Sequence, residues 1–202
     1  MHSKTESLIG GFPDAVLNSQ TVFRALMDCL AHPGSTGSVL PAIVPPAPLS
    51  IAAGAIMLTL CDHDTPVWLS PAMAQSDVSA WLSFHCGAPL TREKSDARFA
   101  FLDKGAALPP FGLFAAGTQD YPDRSTTLVI ELDALDGGRA LTLSGPGIRD
   151  VTQIAPLGLP DSFLHQWTGN RALFPRGIDV VLVAGRQIIG LPRTTKISGL
   201  EA

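Results

Sequence analysis

Charge is scarce in this chain. Asp, Glu, Lys and Arg make up 16% of its 202 residues, and the fourteen cations are scattered within a net charge of −4. No basic stripe exists to neutralise a phosphate backbone, which excludes nucleic acid as the main partner. Long apolar runs are missing too. The longest, Leu49 to Cys61, falls short of the roughly 20 residues a membrane-spanning helix needs and is broken by Gly54. No apolar core follows a basic start at the N-terminus, so no export signal is expected and the cytoplasm is the expected compartment. Cysteines number three (Cys29, Cys61, Cys86), with no C-x-x-C pair, and read as buried reduced thiols. Histidines at 32, 63, 85 and 165 lack zinc spacing, so no metal is expected. A G-x-S-x-G elbow and a Walker A loop are also lacking.

What is present is dry. At 46% hydrophobic, the chain supports one sizeable core, and the expectation is a single domain over residues 1–202. So apolar a composition with so few charges also suits a permanent subunit. Apolar positions from Val22 to Leu30 recur at helical spacing, with Asn18 or Ser19 as cap, until His32-Pro33-Gly34 stops the helix. Arg24 and Asp28, four apart, can pair on it. Further helices are expected over 48–60, from a Ser76 cap to Gly87, and over 161–172. Strands are expected at 67–69, 97–103, 126–135 and 140–148, the last two joined as a hairpin across Asp136-Gly137-Gly138. A final hairpin covers 179–191. Several strands are apolar on both sides, so helices must cover both faces of the mixed sheet. The fold class is α/β, in three layers.

Three segments carry candidate chemistry. Gly190-Leu191-Pro192-Arg193-Thr194-Thr195-Lys196 offers a planar guanidinium fork, two hydroxyls and an ammonium: an anion grip, or else a solvated tail after the last strand. Ser144-Gly145-Pro146-Gly147 can turn backbone N–H groups toward an anion, or simply end a strand. The acidic turn Asp62-His63-Asp64-Thr65 can hold magnesium beside a triphosphate, or cap its own turn. The candidate phosphate-binding set is Arg193, Thr194, Thr195 and Lys196 with Ser144, Gly145 and Gly147. Of the four lysines a pyridoxal phosphate Schiff base would need, only Lys196 sits near it. His85, between Phe84 and Cys86, reads as a satisfied core histidine. The stretch Leu108 to Phe114 reads as a contact patch through Phe111 and Phe114.

Long blocks of the chain resemble the H subunit of the bacterial carbon-phosphorus lyase system. They are "GFPDAVLNSQTVFRALMDCLAHPG" from Gly11, "LTLCDHDTPVWL" from Leu58, "WLSFHCGA" from Trp81, "DRSTTLVIELDAL", "LSGPGI", "FPRGID" from Phe174 and "GLPRTT". The resemblance implies a fold similar to the large domain of pyridoxal-phosphate-dependent transferases, used without that cofactor. It implies self-pairing and assembly with G, I and J subunits, joined transiently by L. The substrates of that assembly are ATP and a phosphonate, whose oxygen displaces adenine at C1 of the ribose to give ribose 1-methylphosphonate 5-triphosphate. Radical cleavage is attributed to J and nucleosidase chemistry to I. The H subunit is then accessory, with no catalytic residue to carry over. The alternative is a stand-alone enzyme or binding protein for a phosphorylated small molecule held by Gly190 to Lys196.

Overall fold

The computed structural model describes residues 9 to 199. Helix α1 (Ala15–Ala31) starts earlier than the apolar spacing predicts. Asp14 is its cap: the Asp14 carboxylate accepts from Leu17 N–H at 3.0 Å, while Asn18 Oδ1 accepts from Asp14 N–H at 3.2 Å. Asn18 thus closes a reciprocal cap from inside the helix, which adds a first turn whose Ala15, Val16 and Leu17 are exposed and so lie outside the core-facing periodicity. Arg24 and Asp28 make no ion pair within 4 Å. Ser50 caps α2 (Ile51–Leu60) through Ala53 N–H. Ser76 Oγ accepts from Val78 N–H at the start of α4 (Val78–Cys86), and Gly87, with φ at +65°, stops it. A one-turn helix, α3 (Pro71–Ala74), precedes α4. α5 (Phe163–Arg171) lies within its expected span.

Six strands form the main sheet. They are β1 (Thr36–Ser38), β2 (Val67–Leu69), β3 (Phe99–Leu102), β4 (Thr127–Glu131), β7 (Asp179–Ala184) and β8 (Gln187–Leu191). Their order is β1-β8-β7-β4-β3-β2. β2, β3, β4 and β7 run parallel, and β8 returns antiparallel to β7 through the expected hairpin, with Ala184 opposite Gln187 and Gly185 at φ +58°. β4 therefore has both its edges filled, by β3 and by β7. The expected hairpin from β4 into the next strand cannot form. Instead β5 (Leu141–Ser144) founds a second, antiparallel sheet in the order β6-β5-β9, with β6 (Thr152–Ile154) and β9 (Lys196–Gly199).

Apolar residues on both sides of the main sheet do need cover, but helices supply all of it on one face only. α1, α2 and α4 bury Val22, Leu26, Ile56, Met57, Trp81 and their neighbours against Phe101, Val129 and Val181. On the other face α5 and the small sheet close over Leu128, Leu182 and Ile189 with Phe163, Trp167 and Leu143. Each large apolar side chain so buried contributes about 1.5 to 3 kcal/mol. Close helix-to-sheet approach depends on glycine at Gly190, where a Cβ would stand 2.8 Å from the α1 backbone at Cys29. The contact patch expected at Phe111 and Phe114 is corrected: they are 7% and 4% exposed. Phe111 meets Phe163 edge-on at 6.0 Å and Phe114 meets Trp68 at 5.8 Å, so the core consumes both rings.

Candidate functional site

Gly190 to Lys196 is neither free tail nor open grip. Gly190 and Leu191 end β8, Pro192 to Thr195 form a turn closed by Thr195 N–H to Pro192 O at 2.8 Å, and Lys196 opens β9. β9 pairs with β5 so that Lys196 stands opposite Ser144, which brings the two candidate segments side by side. Arg193 is turned inward. Its Nε and NH2 donate to the two Asp179 oxygens at 3.1 and 2.5 Å, NH2 also to Ser125 Oγ at 2.6 Å, and NH1 to Pro122 O at 2.8 Å. Asp179 further accepts from Arg193 N–H at 2.7 Å. The blocks around Ser125, Asp179 and Arg193 thus meet in one clasp. Trp167 Nε1–H donates to Thr195 O at 2.9 Å and pins the turn from the α5 side. Thr195 Oγ1 is fully buried with no partner among the described residues.

Thr194 is half-buried and Lys196 exposed. Beyond Ser144, Ile148 N–H donates to Gly145 O at 3.1 Å across Pro146 and Gly147, whose φ is +82°. That is the pattern of a type II turn. A Cβ on Gly147 would lie 2.1 Å from Ala31 O, so the turn packs against the end of α1.

The carboxyl ends of the parallel strands carry a different group of residues. β2 runs into Ser70 and then α3 and α4, which send Met73, Val78 and Trp81 to the helical face. β3 runs into Asp103 and a connection that sends Phe111 and Phe114 to the opposite face. Neighbouring parallel strands whose continuations part to opposite faces leave a crevice at their carboxyl ends, the usual ligand position in open α/β sheets. A hollow of about 600 Å³ opens there, lined by Trp68, Pro71, Lys94, Asp103, Leu108 and Leu113 among others. A second, of about 560 Å³, shares Trp68, Pro71 and Lys94 and adds Ser79, Thr91 and Arg92. Ser70 Oγ–H donates to Asp103 Oδ1, fixing the carboxylate at the floor. Lys94 Nζ lies 4.8 Å from the Trp68 ring centroid.

Beside this crevice, Glu131 at the end of β4 is 6% exposed, and its Oε1 accepts from Ser50 N–H at 2.6 Å. Burial pushes its carboxyl up to about 7, against the opposing pull of the Ser50 donors. Residue spacing did not single out Glu131, Ser70, Asp103, Arg92 or Lys94. They come from four segments of the chain, and the one available signal, a polar residue directly after an apolar strand, marked only Ser70 and Asp103.

The other candidates resolve locally. Asp62 Oδ1 accepts from Asp64 N–H at 3.0 Å and Thr65 Oγ1 at 2.6 Å, capping its own turn, and the Thr65 hydroxyl chiefly holds its carboxyl below the ordinary value. His85 is not a satisfied core histidine. Its ring lies edge-on to Trp81 and Phe84, and Nε2 has no partner among the described residues. The three thiols are unpaired, two buried and Cys86 half-buried; burial raises all three, Cys86 to about 11, which keeps them protonated. A further hollow, about 620 Å³ between α5 and Phe111, is mostly apolar. Two of its polar groups are committed, Gln166 to Phe111 N–H and Asn170 to the Ile178 backbone.

No described helix is long and apolar enough to cross a membrane. The family model for bacterial phosphonate metabolism protein (PhnH) matches residues 10–198. The alpha-D-ribose 1-methylphosphonate 5-triphosphate synthase subunit PhnH of Rhizobium meliloti (strain 1021) is 56% identical over 197 residues, 98% of each chain. A protein of Stutzerimonas stutzeri named "Putative C-P lyase subunit protein HtxG" is 28% identical over 180 residues, 89% of this chain and 85% of the relative. With its β4, β7 and β8 blocks joined in one clasp and the match running from Gly10 to Ser198, the chain belongs to the bacterial phosphonate metabolism protein family, PhnH.

Proposed function

We propose that this chain is an accessory subunit of the assembly that makes α-D-ribose 1-methylphosphonate 5-triphosphate during phosphonate breakdown. The observation that carries the reading is the 56% identity to a synthase subunit across 98% of both chains. In the reaction a phosphonate oxygen bonds to C1 of the ATP ribose as the bond from C1 to adenine breaks, and adenine leaves with the proton. The chain's part is to complete the assembly, and no catalytic residue is assigned to it. The partners proposed are the G, I and J subunits, with L joining transiently, in the cytoplasm. Self-pairing belongs to the same reading.

An exposed apolar stripe supports a subunit role. Val16, Phe23 and Met27 are 67%, 49% and 47% exposed on α1, at spacings of seven and four, while Val22, Leu26 and Cys29 face the core. Three large apolar groups aligned on one exposed helix face mark a surface suited to a contact. We also read residues 1–202 as one unit, because both apolar cores share the main sheet. Likeness to the large domain of pyridoxal-phosphate transferases draws support from the parallel run flanked by antiparallel β8. The alternative, a stand-alone protein gripping a phosphate through Arg193 to Lys196, draws little support, since protein acceptors already hold Arg193 on Nε, NH1 and NH2.

Co-expression with the G, I and J proteins and affinity capture of one of them tests the proposal. Recovery of this chain in fixed ratio supports it. A chain that elutes alone as a monomer sinks it.

A further inference from the structure

We propose that the crevice at the carboxyl ends of β2 and β3 binds a nucleotide-sized phosphate ester, its phosphates between Arg92 and Lys94 and a hydroxyl of its body on Asp103. The polar groups are laid out in sequence along the two hollows. Arg92 lines only the hollow of about 560 Å³, Asp103 only the one of about 600 Å³, and Lys94 lines both. A ligand lying across both hollows therefore meets Arg92 on one side, Lys94 at the shared wall and the Asp103 carboxylate on the other. Arg92 and Lys94 lie two apart on the chain, and neither has a carboxylate within 4 Å or a side-chain hydrogen bond among the described residues. The Thr91 and Ser79 hydroxyls on the same wall are already donated, to Glu93 O and Ala74 O, so the cations carry the recognition. Two cations without a carboxylate partner suit an anion with several oxygens, such as a phosphate chain, better than a single carboxylate.

The Asp103 side selects for something else. Asp103, held by Ser70, is an acceptor that repels a second anion and takes a hydroxyl donor such as a sugar provides. Around it the wall is apolar, with Ala106, Leu108, Pro110 and Leu113 against the flat side of a ligand body. Adjacent hollows of about 600 and 560 Å³ that share Trp68, Pro71 and Lys94 as walls are each far larger than a lone phosphate or a one-carbon phosphonate requires, and fall in the range that encloses drug-sized ligands. The site is separate from the Arg193 clasp, whose donors are committed to Asp179, Ser125 and Pro122.

Trp68 supplies the readout. It is the one tryptophan at the crevice, since Trp81 and Trp167 are in the core, and Lys94 sits over its ring. The experiment titrates the full chain with ATP, adenosine, inorganic phosphate and methylphosphonate, following tryptophan fluorescence and heat. ATP is expected to bind and change the emission, with the change lost in Trp68→Phe. Arg92→Ala with Lys94→Ala is expected to weaken ATP at least tenfold at an unchanged melting temperature, and Lys94→Gln alone to weaken it by less. Adenosine and phosphate alone are expected to bind at least tenfold more weakly than ATP. Unchanged ATP affinity in the double variant overturns the proposal. So does silence with all four probes at millimolar concentration, and so does methylphosphonate or phosphate binding as tightly as ATP. None of these outcomes bears on co-purification with partner subunits, so this inference and the subunit reading fail separately.

Discussion

Arg193 illustrates how a residue's chemistry outruns its sequence. A guanidinium between a proline and two threonines can be read as a phosphate fork or as a solvated end. The structure turns it inward onto Asp179, where the pair has only 13% and 23% of its side-chain surface exposed. Breaking a largely buried pair by removing one partner leaves a charge uncompensated, at a cost of about 3 kcal/mol. Arg193→Ala is accordingly expected to lower stability in urea denaturation by about that amount, and Arg193→Lys to recover less than half, because an ammonium cannot reach Asp179, Ser125 and Pro122 as a fork. Stability within about 0.5 kcal/mol of the parent in both variants would contradict the clasp. Thr195→Val is expected to do the opposite and stabilise by about 1 kcal/mol, since it removes a buried hydroxyl that lacks a described partner. A loss in the same measurement would show that the hydroxyl has work to do.

Glu131 gives a pH signature at the same scale. Its folded carboxyl titrates near 7 against an ordinary 4.5, because burial disfavours the charge. The folded state thus prefers the protonated form. Its contribution is fully present below about 4.5, falls as pH rises toward 7 and levels off beyond, a span of about 3 kcal/mol. Glu131→Gln keeps an acceptor for Ser50 N–H and removes the titration. The stability of this variant minus that of the parent is expected to grow by about 3 kcal/mol between pH 4 and pH 8; a constant difference would contradict the burial argument. None of this was legible beforehand, because "VIELDAL" shows a carboxylate at a strand end and nothing of what closes over it.

Among the elements, those with a strong local signal were readable. The α1 periodicity from Val22 to its stop at His32, the β-branched start of β4 and the hairpin of β7 and β8 stand where the residues put them, while the start of α1 does not. What could not be read was competition for edges. Asp136-Gly137-Gly138 is good hairpin chemistry, yet β4 had no free edge once β3 and β7 flanked it, so β5 went to a second sheet and recruited β9 from an apparent tail. The crevice residues were hidden for the same reason, since strand order decides which carboxyl ends are neighbours. At this scale the α1 stripe makes a distinct prediction. Phe23→Asp with Met27→Asp is expected to leave the melting temperature within a few degrees of the parent, since both side chains are about half exposed, and to abolish co-purification with the subunit that covers them. Intact assembly in the double variant would remove α1 from the contact.

The molecule as a whole is dry, weakly charged and built around one mixed sheet with two apolar faces. Such a composition pointed to a permanent subunit before any contact was visible, and family membership now gives that reading a system in which to be tested. Native mass spectrometry of the co-expressed assembly, paired with an assay for α-D-ribose 1-methylphosphonate 5-triphosphate with and without this chain, tests it most directly. The expected result is a complex holding the chain in fixed stoichiometry, and product formed from ATP and methylphosphonate only when the chain is included. A complex that assembles and makes product at the same rate without it would contradict the subunit role.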